Sequence, residues 1–241
     1  MNRDRLVEQA ETALARLAED RRDQVARGSL HEALADLERL LDGEPELKRR
    51  LVDDARREHL STAEPPLVPI RTERLLLRRR EPGDTADLHA IYSRDDVATY
   101  LLHEALTLAE LEERWARQAS SGDEDAIGFV VELDGRVVGQ VALIFHGPLQ
   151  GELAWTIHPD VGGRGIATEA ARALLKVGFG HYGLHRVKAE LDPRNTASMR
   201  LCERLGMRRE SHRLSDFWSK GEWTDTYEYA VLASEWAARE H

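Results

Sequence analysis

One cysteine, Cys202, stands in a chain of 241 residues. A single thiol leaves no intrachain disulfide to form and no cysteine-rich metal site to build. Lysine is nearly as scarce: Lys48, Lys176, Lys188 and Lys220 are the only four, and every other basic side chain except histidine is arginine. No stretch approaches the roughly 18 consecutive apolar residues needed to span a bilayer, and the mean hydropathy is −0.52. The opening residues, MNRDRLVEQAET, contain no apolar core of a secretory signal, so a cytoplasmic location is expected and no membrane partner. Positive charge is in deficit, with 34 Lys and Arg against 44 Asp and Glu and a net charge of −10. Proteins that hold a nucleic-acid backbone are usually strongly basic on one face, so direct nucleic-acid binding is not expected. No His, Asp or Glu spacing points to a metal.

What remains divides into parts of unequal character. Residues 1–60 read as helix alone. Leu6, Ala10, Ala13, Leu14 and Leu17 keep a 3.6-residue period. Gly28 interrupts it, and Ser29-Leu30-His31-Glu32 has the form of a capping box, in which hydroxyl and carboxylate satisfy N–H groups at a helix start. Leu30, Ala33, Leu34, Leu37 and Leu41 make the next stripe. Gly43 and Pro45 punctuate the chain before a third helix with Leu47, Leu51 and Ala55. These stripes must bury against one another, the rest of the chain, a second copy or a partner. Residues 61–69, with Pro65, Pro66 and Pro69, read as an extended linker. Residues 1–64 hold 16 acids and 12 bases and the remainder 28 and 22, so neither part is a basic arm.

From residue 70 to 241 strands and helices alternate. Strands are expected at 74–78, 127–133, 136–145, 152–157, 187–191, 208–214 and 226–232, and helices at 85–93, 108–119, 166–179 and 197–205. Asp134-Gly135 is a strong two-residue hairpin signal, because a type I′ turn needs positive φ at both positions. A central hairpin followed by βα units implies an α/β fold with a mixed sheet, partly antiparallel and partly parallel.

The most informative segment is Ile157-His158-Pro159-Asp160-Val161-Gly162-Gly163-Arg164-Gly165-Ile166-Ala167-Thr168-Glu169, where a strand passes through a glycine-rich loop into a helix. Such loops turn successive N–H groups inward, and the helix start adds its own, which together make a phosphate site. A Walker loop requires Gly-Lys-Ser/Thr, which Gly165-Ile166-Ala167 lacks. A dinucleotide fingerprint requires glycine where Thr168 stands, which weighs against an NAD(P) oxidoreductase. A pyrophosphate loop for coenzyme A is the third possibility.

Gly163-Arg164-Gly165-Ile166-Ala167 after Trp-Thr-Ile-His-Pro resembles the acetyl-CoA loop of the GNAT N-acetyltransferases. Residues 69–78 (PIRTERLLLR), residues 195–207 (NTASMRLCERLGM), residues 221–226 (GEWTDT) and Glu235-Trp236 resemble, in order, the opening strand, second cofactor motif and C-terminal end of its RimJ/RimL-like, ribosomal-protein branch, a bacterial one. The resemblance spans about residues 67–236. It implies a GNAT fold whose sheet splays between the strands at 152–157 and 187–191, with acetyl-CoA lying in the gap. It implies cofactor contacts from Ile157, Gly162, Gly163, Arg164, Gly165, Ile166, Ala167, Thr168 and Asn195. A bulge in the first of the two strands would free the N–H of Thr156 or Ile157 for the acetyl carbonyl. The family commonly carries glutamine or arginine at the place of Gly162, and often a tyrosine acid at the place of Cys202.

The implied reaction is transfer of acetyl from acetyl-CoA to a primary amine by direct attack, without a metal. Glu152 is the candidate general base, ahead of His158; its alternative role is an exposed strand-end acid. Ser198 is the candidate proton donor, with helix capping or a pantetheine contact as competing roles. Asn195 is read as a cofactor contact rather than a turn residue, Glu169 as complementing the helix dipole, and Cys202 as packing. Of the tryptophans, Trp218 or Trp223 is expected near the acceptor. A basic protein N-terminus or a small amine would serve as acceptor, and residues 1–60 would supply a homodimer or partner contact. The rival reading is an acyl-CoA sensor or scaffold with little catalysis.

Overall fold

The computed structural model describes residues 3–19, 29–30, 33, 37, 68–121, 126–146 and 149–240. The N-terminal helix α1 spans Arg3–Glu19, and Leu6, Ala10 and Ala13 of the expected stripe are excluded from solvent, with Leu14 half-buried. Leu30, Ala33 and Leu37 are buried as well, and Gln9 Nε2 donates to the Ser29 carbonyl and hydroxyl, each at 3.2 Å. The rest of the second predicted helix, the third, and linker residues 61–67 lie outside the described residues.

Eight strands form one sheet: β1 Ile70–Arg71, β2 Leu75–Arg78, β3 Ala126–Leu133, β4 Arg136–Phe145, β5 Gln150–Ile157, β6 Arg186–Leu191, β7 Arg208–Ser219 and β8 Glu222–Leu232. Their order is β1-β2-β3-β4-β5-β6-β8-β7. All neighbours are antiparallel except β5 and β6. The β3–β4 hairpin turns on Asp134 and Gly135, with φ of 51° and 79°, as the sequence requires.

Helices cover the sheet unequally. After α1 come α2 Thr85–Tyr92, α3 Asp95–Ala98, α4 Leu108–Ser121, α5 Ile166–Gly180, α6 Thr196–Arg204 and α7 Ala233–Glu240. Helix α5 sets Ile166, Ala170, Ala171, Leu174 and Leu175 against Val141, Leu143, Leu153 and Val187 in the main core. Helices α2 and α4 bury Leu88, Ile91, Leu111 and Trp115 against Val130 and Val137 in a smaller core. Each large apolar side chain taken from water this way contributes about 1.5–3 kcal/mol before entropy. Asp84 is buried beside them, with both oxygens on the Arg78 guanidinium at 2.8 Å; Arg78 also reaches Glu132.

Two differences from the sequence reading matter for function. The closing hairpin runs about five residues longer on β7 and four on β8 than the periodicity indicates, turning at Lys220 and Gly221 with positive φ. Its added part is largely exposed on both faces and is broken by a register shift between Arg213 and Phe217, so it lacks the alternation that marks a strand. The short helices α3 and α7 were also not anticipated; α3 forms one edge of the site.

Candidate functional site

Strands β5 and β6 pair in parallel at Gln150–Arg186, Gly151–Val187 and Glu152–Lys188, and there the ladder stops. Beyond Glu152 the strands part while β5 stays paired to β4 as far as Ile157 with Gly139. The N–H groups at the gap follow from strand alternation. His158 N–H donates to Val138 O and His146 N–H to Gln150 O, so the even-numbered residues of β5 bond β4. Thr156 N–H is therefore committed to the ladder, and Trp155 and Ile157 turn theirs into the gap. No register shift interrupts β4–β5, so the splay frees these N–H groups, not the anticipated bulge.

The loop after β5 begins with a 3-10 turn, Pro159–Val161, in which His158 Nδ1 accepts from Asp160 N–H at 3.1 Å. Gly162 N–H donates back to Pro159 O at 2.8 Å and so offers nothing to a ligand. A Cβ at Gly162 would meet that same oxygen at 2.8 Å, which excludes a side chain from this backbone path. Gly163 and Gly165 follow with φ of 72° and 79°, conformations that only glycine adopts without strain. The first intrahelical bond of α5 is Glu169 N–H to Gly165 O at 3.0 Å. The N–H groups of Ile166, Ala167 and Thr168 precede it and have no partner in the helix, so they face outward with the positive end of a 15-residue helix behind them.

The loop is held from outside. Glu169 Oε1 accepts from Thr72 Oγ1 at 2.5 Å and Arg74 N–H at 2.8 Å, while Oε2 takes Arg74 Nε at 2.7 Å. Arg74 Nη1 donates to Arg164 O at 2.9 Å. Burial tends to raise the Glu169 carboxyl, but its bonds to Thr72 and Arg74 hold it below the ordinary range. Glu169 is thus a staple between the first hairpin and α5, beyond any dipole effect. Arg204 Nε donates to the Thr168 hydroxyl oxygen at 3.1 Å; neither Thr168 nor Arg164 lines the cavity. Arg204, on α6, does line it and has no acidic partner among the described residues. Sequence spacing gave no sign of it, because it comes from a different helix.

A cavity of about 1030 Å³ runs from this loop along the β5–β6 gap to a space walled by α2–α4 and the β7–β8 hairpin. Ile157, Gly162, Gly163, Gly165, Ile166 and Ala167 line one end. Glu152, Asn195 and Ser198 also line it. Asn195 caps α6, its Oδ1 accepting from Ser198 N–H at 3.0 Å, which leaves its amide N–H groups for a ligand. Glu152 Oε2 is 2.7 Å from His146 Nε2 and 3.4 Å from Lys188 Nζ. Cys202 is fully buried and does not line the cavity; burial pushes its thiol up to about 12, so it is inert packing. Tyr92 lines the opposite wall and donates to Gln140 Oε1 at 2.9 Å, its phenol pushed up by burial. The tryptophans in the lining are Trp155 and Trp115. Trp218 and Trp223 stack edge to face on the hairpin, 56% and 60% exposed, and do not line the cavity, contrary to expectation. No cluster of three or more His, Cys, Asp or Glu that could hold a metal occurs among the described residues, nor is any helix there long and apolar enough to cross a membrane.

Comparison with known proteins agrees with this geometry. A family model described as an acetyltransferase (GNAT) domain matches residues 74–208. The uncharacterized N-acetyltransferase YnaD of Bacillus subtilis is 29% identical over 168 residues, covering 69% of this chain and 98% of YnaD. The crystal structure of a GNAT-family acetyltransferase from Bacillus anthracis is 33% identical, with a TM-score of 0.63 over 68% of this chain and 98% of that one. A spermidine N-acetyltransferase from Vibrio cholerae, solved with CoA and spermine, is 25% identical with a TM-score of 0.60, over 69% of this chain and 99% of that one.

Proposed function

The chain belongs to the GNAT acetyltransferase family, and from that premise we propose that it moves the acetyl group of acetyl-CoA to a primary amine by direct attack. The observation that carries this reading is the continuity of one cavity from the glycine loop, through the opened β5–β6 gap, to Glu152. The N–H groups at Gly163 to Thr168 and the Arg204 guanidinium suit the phosphates of the cofactor, and those of Trp155 and Ile157 suit the pantetheine arm and acetyl carbonyl.

Glu152 is the general base. It removes a proton from the acceptor ammonium, directly or through water, and the freed nitrogen attacks the thioester carbon. The carbon–sulfur bond then breaks, and the CoA thiolate takes a proton from Ser198 or from water. The Glu152 carboxylate is held by His146 and Lys188 at the edge of the gap. Residues 67–236 resemble the RimJ/RimL-like branch, whereas the matched relatives include YnaD and spermidine acetyltransferases; the acceptor is therefore sought among both protein N-termini and small amines. Residues 1–60, which the sequence pattern reads as helix, lie outside the family match, and we assign them to contact with a second copy or a partner.

Incubating the full chain with acetyl-CoA and a panel of amines and peptides, followed by mass spectrometry of the products, tests the reading. An acetylated amine with matching thiol release is expected. The second reading, an acyl-CoA sensor, is favoured by the buried Cys202 where relatives often place a phenol acid. Tight acetyl-CoA binding with no thiol release from any amine would favour it.

A further inference from the structure

Five carboxylates line the cavity, and each already has a nitrogen partner. Glu152 faces His146 and Lys188; Glu190 bonds Lys188 at 2.7 Å and Arg213 at 3.0 Å. Asp192 bonds Arg194 at 2.6 Å, Asp225 is 2.8 Å from His212, and both oxygens of Asp96 sit on Arg94. The lining cations at the end away from the glycine loop are not compensated in this way. Lys220, at the hairpin tip, donates only to the carbonyl oxygens of Ala98 (2.6 Å) and Thr99 (2.8 Å). Arg114, on α4, has no acidic partner among the described residues. Its i−4 neighbour Glu110 is engaged in capping the helix at Thr107, and Glu113 is bonded to Arg117. Both cations act on His103, which lies between them in the same wall and beside the Tyr92 ring, with centroids 6.0 Å apart. Burial, first, and these two charges hold the His103 imidazole below its ordinary range, against the raising effect of its Nδ1 bond to Glu104 O at 2.7 Å.

We propose that Arg114 and Lys220 form a subsite for a carboxylate, so that the acceptor is a small amine carrying a carboxylate group. The inference rests on the transferase reading and names the substrate class of the same site. A polycation entering here would meet the positive charges of Arg114 and Lys220, neither of which has an acidic partner among the described residues. A carboxylate would gain a guanidinium fork and an ammonium on the wall opposite Glu152, with its amine directed to the base.

The test compares kcat/KM for matched amines: β-alanine and γ-aminobutyrate against their amides, with spermidine and O-phosphoethanolamine alongside. The amides have the less basic amines and so more free amine at neutral pH, which biases the comparison against the proposal. The acids are expected to be favoured by about 10–100-fold, the range of one charge-assisted hydrogen-bond pair. In R114Q and in K220M the ratio within each pair should collapse toward one. Spermidine or an amide outrunning the acids, O-phosphoethanolamine outrunning them, or an acid preference that survives the R114Q/K220M double substitution would each overturn the subsite while leaving acetyl transfer standing. Absence of thiol release with every amine overturns the transferase reading instead. Calorimetric binding of β-alanine against its amide to the CoA-loaded chain then decides the subsite alone, with equal affinities counting against it.

Discussion

Glu152 and Lys188 face each other across the last rung of the parallel ladder between β5 and β6, with Lys188 Nζ 3.4 Å from Glu152 Oε2. One step further the strands separate and the cavity opens. The same pair thus marks the end of sheet pairing and places a carboxylate at the edge of the gap.

If Glu152 takes the proton from the acceptor, Glu152→Gln should lower kcat by roughly 10²–10⁴ at neutral pH. Acetyl-CoA affinity should change little, because the residue lies away from the glycine loop. Steady-state kinetics with saturating amine measure this, and a kcat near that of the parent chain would remove Glu152 from the mechanism.

Gly165 has φ of +79° at the N-cap of α5, with Arg74 Nη2 3.5 Å from where a Cβ would stand. Gly165→Asp strains the backbone and puts a negative charge among the N–H groups assigned to phosphate. Calorimetry should show acetyl-CoA binding abolished, with the circular dichroism spectrum retained. Unchanged affinity would mean that the pyrophosphate lies elsewhere.

Trp155 lines the cavity and the Trp218–Trp223 pair does not. Trp155→Ala should impair acetyl-CoA binding, whereas Trp218→Ala should leave KM for the acceptor within about twofold, as surface substitutions usually do. A large rise in acceptor KM in Trp218→Ala would place the exposed pair in the acceptor path.

Asp84 and Glu169 have carboxyls held below their ordinary values, Asp84 chiefly by its bond to Arg78 and Glu169 by Thr72 and Arg74 against the opposing effect of burial. A depressed folded value means that stability is present above the unfolded carboxylate range, about pH 4, and is lost as pH falls through the lower folded values. Thermal unfolding should therefore show Tm dropping steeply on acidification below about pH 4. Asp84→Asn should weaken that dependence and cost roughly 2–3 kcal/mol at neutral pH by stranding part of the Arg78 charge. A Tm insensitive to the substitution would contradict this role for the pair.

Much of the site was readable where chemistry is local in sequence. Gly163, Gly165 and the helix start that follows, assigned here to phosphate, are consecutive residues, and Asp134-Gly135 specifies its own turn. What was not readable depends on residues that meet only in the fold. Arg204 joins the loop from α6, and Arg114 and Lys220 come from α4 and a hairpin tip 106 positions apart in the chain. Trp218 and Trp223 stand next to lining residues Phe217 and Thr224, and in a strand adjacent side chains take opposite faces. A one-position change of face therefore separated the expected tryptophans from the cavity. The longer hairpin was hidden because its outer part is polar and exposed on both sides, so no period marked it.

A crystal structure of the full chain with CoA tests the central claim most directly, that one cavity is the acetyl-CoA site. The account predicts pyrophosphate oxygens on the N–H groups of Gly163 to Thr168, the pantetheine arm in the β5–β6 gap bonded to Trp155 and Ile157 N–H, and the sulfur at the Glu152 end. CoA bound away from the gap, or running in the opposite direction along it, would contradict the account.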